Sequence, residues 1–152
     1  VLDNIFNLNS KAYEIHVNFP GGIPVDGPSA GISIATAIYS AIKGVPVNNR
    51  VAMTGEISIK GKVKPIGGVN AKILAAKRAG VELVIVPKEN LSSITRDIDG
   101  IKIVGVKKIE EVLDLALYEE ESIEKENLII KDNRAFFATG ALNAESIKKA
   151  NT

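Results

Sequence analysis

Between Ser29 and Lys43 the chain places Ile32, Ile34, Ala35, Ala37, Ile38, Ala41 and Ile42 with only small polar residues among them, and Gly44 and Pro46 end the run. A helix with apolar residues on most of its sides cannot rest on a surface with a face left to water. The rest of the chain must therefore supply layers that cover it.

Those layers are legible downstream. Residues 83–86 (LVIV) read as a continuous apolar strand ended by Pro87, and residues 101–106 as a second. Gly67-Gly68 opens a helix over residues 69–79 that Gly80 stops, and an amphipathic helix runs from Ile109 to about Tyr118. Residues 51–59 (VAMTGEISI) alternate as one strand, with Met53, Ile57 and Ile59 on one face and Thr54, Glu56 and Ser58 on the other. A short strand at residues 62–66 follows Gly61, which predicts a hairpin. Upstream, residues 13–19 (YEIHVNF) alternate as a strand, and the turn-rich PGGIPVDGP of residues 20–28 interrupts regular structure. This order predicts an α/β (α+β) sandwich, with parallel pairing in part of a mixed sheet and helices packed on it.

Composition narrows the function classes. The chain has 152 residues, 45% apolar and 24% charged, enough for one domain with a sizeable core. With 19 basic and 18 acidic residues the net charge is +1, which gives no reason to expect nucleic acid or an anionic membrane as the main partner. No apolar run approaches the roughly 20 residues of a membrane span. The opening VLDNIFNLNSKAY lacks the plan of a secretion signal, and the absence of Met at position 1 suggests a piece of a longer chain. There is no cysteine and a single histidine, His16, so disulfides and thiol catalysis are excluded and a zinc site is not expected. A cytoplasmic origin is the expectation. Beyond the charge run EEESIEKEN, residues 128–152 form a tail without an assigned role, holding the apolar patch AFFATGAL and then a weak helix. The division expected is one folded domain over residues 1–127 and that tail.

Ser29 is the first candidate for chemistry. Gly27-Pro28-Ser29-Ala30-Gly31 fits G-x-S-x-G, but the serine follows a loop rather than a buried strand, and no histidine comes after it. Two readings stay open. Ser29 caps the helix, or it is a nucleophile beside first-turn amides that hold a developing oxyanion. A nucleophile needs a base. His16 is one candidate, on the strand face opposite Ile15 and Val17. Lys72 is the other: at 100° per residue it is the one cation on the apolar face of the helix over residues 69–79. Burial there would favour the neutral amine that a base requires, whereas a rim lysine would only lay its stem on the surface. Gly61-Lys62 has the wrong spacing for a P-loop, and Asp97 and Asp99 read as a turn.

Taken together, DGPSAG at residues 26–31, TGEISIKGKVKPIGG at residues 54–68 and AKILAAKRAG at residues 71–80 resemble the proteolytic domain of Lon-family ATP-dependent proteases. The resemblance runs from about Tyr13 to Tyr118. It implies Ser29 as nucleophile, Lys72 as general base, Thr54 as a residue helping to hold the lysine, and Asp26 as an acid close to the dyad. It also implies a serine endopeptidase acting on unfolded or damaged polypeptide, in a homo-oligomeric, hexameric ring. No cofactor is implied in this domain, since ATP and Mg would sit on an ATPase module outside these residues. The early β-rich part of the family's domain is expected to be shortened or absent before Val1, and GGVNAK around Lys72 departs from one common subfamily pattern. The alternative is the dyad-less Lon-like platform of some DNA-repair ATPases, from which this chain differs in having both Ser29 and Lys72.

Overall fold

The computed structural model of the chain describes residues 1–18, 27–95 and 98–118, with the backbone of three strands beyond them. In chain order its elements are α1 (Leu2–Phe6), β1 (Tyr13–Ile15), α2 (Gly31–Lys43), β2 (Val51–Met53), β3 (Glu56–Ile57), β4 (Val63–Lys64), α3 (Val69–Arg78), β5 (Leu83–Pro87), β6 (Lys102–Val106), α4 (Ile109–Ala116), β7 (Arg134–Phe137), β8 (Gly140–Asn143) and β9 (Ile147–Lys149). The main sheet has the order β6-β5-β2-β7-β8. Strands β2, β5 and β6 are parallel, with Val51 opposite Leu83 and Leu83 opposite Lys102. β7 joins β2 in parallel and β8 pairs with β7 antiparallel, so the sheet is mixed.

The sheet is covered on both faces. Val51, Met53 and Ile85 point into a cluster with Ile32 and Ala35 of α2 and with Ile109, Val112 and Leu113 of α4. Ala52, Val84 and Val86 point the other way and meet Val69, Ile73 and Ala76 of α3. Neighbouring residues of one strand thus feed opposite layers, which is why β5 reads as an unbroken apolar run. The expected α/β architecture is the observed one.

Several boundaries differ from expectation. The single strand expected over residues 51–59 is two short strands, because the chain leaves the sheet at Thr54. The Thr54 amide makes the last ladder bond, to the Ile85 carbonyl at 3.0 Å, and the Gly55 backbone then turns to bond with the start of α2. Ile59 consequently lies beyond β3, 81% exposed, instead of sharing a buried face with Met53. β3 and β4 do form the predicted hairpin, with Ile57 opposite Val63. The strand expected over residues 13–19 is described only as Tyr13–Ile15, followed by irregular chain to Asn18. In the tail, β9 stands where a weak helix was expected, paired antiparallel with β1; pairing with an edge strand outweighs a weak local helical preference.

Gly31, the first residue of α2, is where the hairpin layer touches the helix. A Cβ there would lie 2.9 Å from both the backbone nitrogen and Cγ2 of Ile57. One of those atoms is main chain and cannot swing aside. Gly31→Ala is therefore expected to destabilise the domain by about 1–3 kcal/mol, the usual range for overpacking, read as a lower midpoint in urea unfolding at unchanged slope.

Candidate functional site

Ser29 lies in the middle of a single 3-10 turn, Pro28–Ala30, which feeds directly into α2. It is half-buried, and its hydroxyl caps neither this turn nor the helix, whose N-cap position is Ala30. The helix expected to begin at Ser29 begins two residues later, and the capping role is not observed.

What holds Ser29 is its carbonyl. That oxygen accepts the Gly55 N–H at 2.9 Å and the Thr54 hydroxyl at 3.2 Å. In return the Gly55 carbonyl accepts the Ile32 N–H at 3.1 Å, and one turn on the buried Ser33 hydroxyl donates to the Met53 carbonyl at 3.2 Å. Four hydrogen bonds thus fasten the start of α2 to the exit of β2. Glycine at position 55 suits this close approach, since a Cβ would stand 3.0 Å from the Val63 side chain and 3.1 Å from that of Ile32, both of which would have to give way. Of the first-turn amides, that of Gly31 donates to Pro28 and that of Ile32 to Gly55.

Lys72 sits on the second turn of α3, between the buried Val69 and Ile73. Its side chain is half-buried, and burial pushes its amine below the usual lysine range. It makes no hydrogen bond to Ser29 or Thr54; the Thr54 hydroxyl is directed at the serine carbonyl. The first turn of α3 is anchored through Asn70, which donates to the Ser93 carbonyl at 2.9 Å and accepts the Thr95 N–H at 3.1 Å, at the far end of the 3-10 segment Lys88–Ser93 that follows β5. Ser29 is fixed just past the end of β2. Both residues therefore stand at the carboxyl edge of the parallel strands, where open α/β sheets place their sites.

His16 is exposed and its Nε2 is 2.8 Å from the Glu14 carboxylate, outside this arrangement. Asp26 lies outside the described residues. Among the described residues no three His, Cys, Asp or Glu side chains gather as a metal site. No helix among them is long and apolar enough to cross a membrane. Sequence reasoning does not single out Ser33 or Gly55. A signal for the first exists in the spacing of Ser29, Ser33, Thr36 and Ser40, a helical stripe of hydroxyls of which the last three are fully buried.

The model of the Lon protease (S16) C-terminal proteolytic domain matches residues 4–119. Lon protease 2 of Bacillus subtilis (strain 168) is 59% identical over 107 residues, covering 70% of this chain and 19% of that protein. Lon protease of Trichlorobacter lovleyi is 56% identical over 120 residues, 74% of this chain and 15% of the relative. Lon protease of Dictyoglomus thermophilum is 48% identical over 128 residues, 80% of this chain and 16% of the relative. The chain spans less than a fifth of the length of these relatives.

Proposed function

The chain belongs to the family of Lon protease (S16) C-terminal proteolytic domains, and from that membership we propose that it hydrolyses peptide bonds with Ser29 as nucleophile and Lys72 as general base. The observation that carries the lysine is the effect of burial on its amine: a base must be neutral, and desolvation favours the neutral form. The serine is supported by a hydroxyl that no capping bond occupies, on a main chain clamped by Thr54 and Gly55.

In this reading Ser29 Oγ attacks the scissile carbonyl carbon while its proton passes to Lys72 Nζ. The oxyanion that forms lies beside the positive end of α2, whose dipole favours negative charge there. The C–N bond then breaks, the Lys72 ammonium protonates the leaving amine, and the acyl group stays on Ser29. Neutral Lys72 next takes a proton from water, whose oxygen attacks the ester carbonyl; the bond from that carbon to Ser29 Oγ then breaks, Lys72 returns the proton to Oγ, and the acid leaves. Thr54 acts through the main chain by fixing the Ser29 carbonyl, and Asp26 is carried as an acid close to the pair.

The rest of the reading follows the family. The substrate is unfolded or damaged polypeptide, as suits protein quality control. The full-length chain brings an ATPase module with ATP and Mg, the assembly is a hexameric ring, and the compartment is the cytoplasm. A fluorophosphonate probe tests the core of it. Ser29 is expected to be the residue labelled, with labelling lost on heat unfolding; labelling elsewhere, or none, would remove the nucleophile.

A further inference from the structure

A second feature lies away from Ser29, where the loop between β3 and β4 meets the junction of β6 and α4. Lys62 and Lys108 form an isolated antiparallel bridge there. The flanking bonds run from the Val63 amide to the Lys107 carbonyl at 2.8 Å and from the Ile109 amide to the Gly61 carbonyl at 2.9 Å. That pattern makes Lys62 and Lys108 a non-hydrogen-bonded pair, the arrangement that brings facing side chains closest. Two lysines directly opposite each other repel and destabilise the pairing.

The same two residues line a cavity of about 400 Å³ together with Lys88 and Lys107. Four lysines against the one glutamate, Glu89, leave its lining at +3, whereas the whole chain carries +1. None of the four ammonium groups has a carboxylate partner among the described residues, where the ion pairs are His16–Glu14, Arg50–Glu82 and Lys64–Glu56. The nearby Glu111 spends an oxygen on the Lys107 backbone amide at 3.3 Å. The fold thus concentrates positive charge around a hollow and sets two of the lysines directly opposite each other. A ligand of opposite charge relieves that strain.

We propose that this cavity binds a phosphate-class oxyanion carrying two or more negative charges, with Lys62 and Lys108 as its central pair. Its volume is at the small end of the range for small-molecule sites, suited to a diphosphate group. Lysines are mobile point charges that grip phosphate oxygens from several sides without the fixed fork of arginine. The site does not depend on the peptidase reading, and its test needs no enzymatic activity.

Calorimetric titration of pyrophosphate into the chain at low ionic strength is expected to show saturable binding. In Lys62→Gln/Lys108→Gln affinity should fall at least about tenfold, the equivalent of one charge-assisted contact. Lys43→Gln, which removes a lysine at the far end of α2, should bind as the parent does. Pyrophosphate should raise the melting temperature of the parent and not of the double variant. Without the anion the double variant should melt no lower than the parent, since it loses only a repulsion. Orthophosphate should bind more weakly than pyrophosphate. No saturable binding, equal affinity in parent and double variant, or an equal loss in Lys43→Gln would overturn the site. Tighter binding of a polyglutamate peptide or of orthophosphate than of pyrophosphate would overturn the assignment of its ligand.

Discussion

Ser29→Ala is expected to reduce hydrolysis of an unstructured peptide by on the order of 10⁴–10⁶-fold, the scale on which loss of a serine nucleophile is felt elsewhere, while the fold stays intact. The second half of that expectation comes from the geometry. The partners of Ser29 hold its carbonyl oxygen, through the Gly55 amide and the Thr54 hydroxyl, and alanine keeps that oxygen. The serine hydroxyl makes no capping bond, so the cap penalty of a typical Ser→Ala change does not apply. Matching melting temperatures with turnover lost is the outcome expected. Turnover retained by the pure variant would move the nucleophile elsewhere.

Lys72→Arg should be as inactive as Lys72→Ala, each losing about 10²–10⁴-fold, the usual contribution of a general base. Arginine keeps the charge and the reach but does not deprotonate at usable pH. In the parent, activity should rise with pH, because the protonated amine is the inactive form. Burial lowers the amine's pKa, so the rise should come below the ordinary lysine range. The sign for stability runs the same way. With the folded pKa below the unfolded one, the native state binds fewer protons between the two values, and stability rises with pH across that window. Below that window the charged, half-buried amine is a burden, and there Lys72→Met should melt no lower than the parent. His16→Gln should keep most activity, since the ring is exposed and paired with Glu14. Rate profiles across pH for the parent and these variants check the assignment; an active Lys72→Arg beside a dead His16→Gln would transfer the base to His16.

The parts of the fold that were legible are those whose pattern reflects local burial. β5 announces itself because a parallel strand covered on both faces needs an apolar residue at every position, and α3 because Gly80 halts a run with Val69, Ile73 and Ala76 on one side. The break after Met53 was not legible. Alternation continues through Ile57 and Ile59, and what ends the strand is a set of bonds from Thr54 and Gly55 to Ser29, 25 residues away for the threonine hydroxyl. Strands β7 to β9 stayed hidden for a similar reason, since Phe136 finds its partner in Ala52 and Ile147 in Ile15, and nothing near them in the sequence says so. At the candidate site residue types and flanking motifs pick out Ser29, Lys72 and Thr54. They do not say which atom of Ser29 is held, because that depends on where β2 delivers its main chain.

The clamp at the start of α2 has a consequence for how the site moves. First-turn amides of a helix ordinarily exchange their protons with solvent quickly, having no partner to protect them. Here the Ile32 amide is bound to the Gly55 carbonyl and the Gly55 amide to the Ser29 carbonyl. These two protons should exchange slowly and together, at a rate set by opening of the sheet edge rather than by fraying of the helix. Fluctuations that loosen the far turns of α2 would then leave Ser29 where it is, and the site would lose its geometry only in the rarer openings that part the helix from β2.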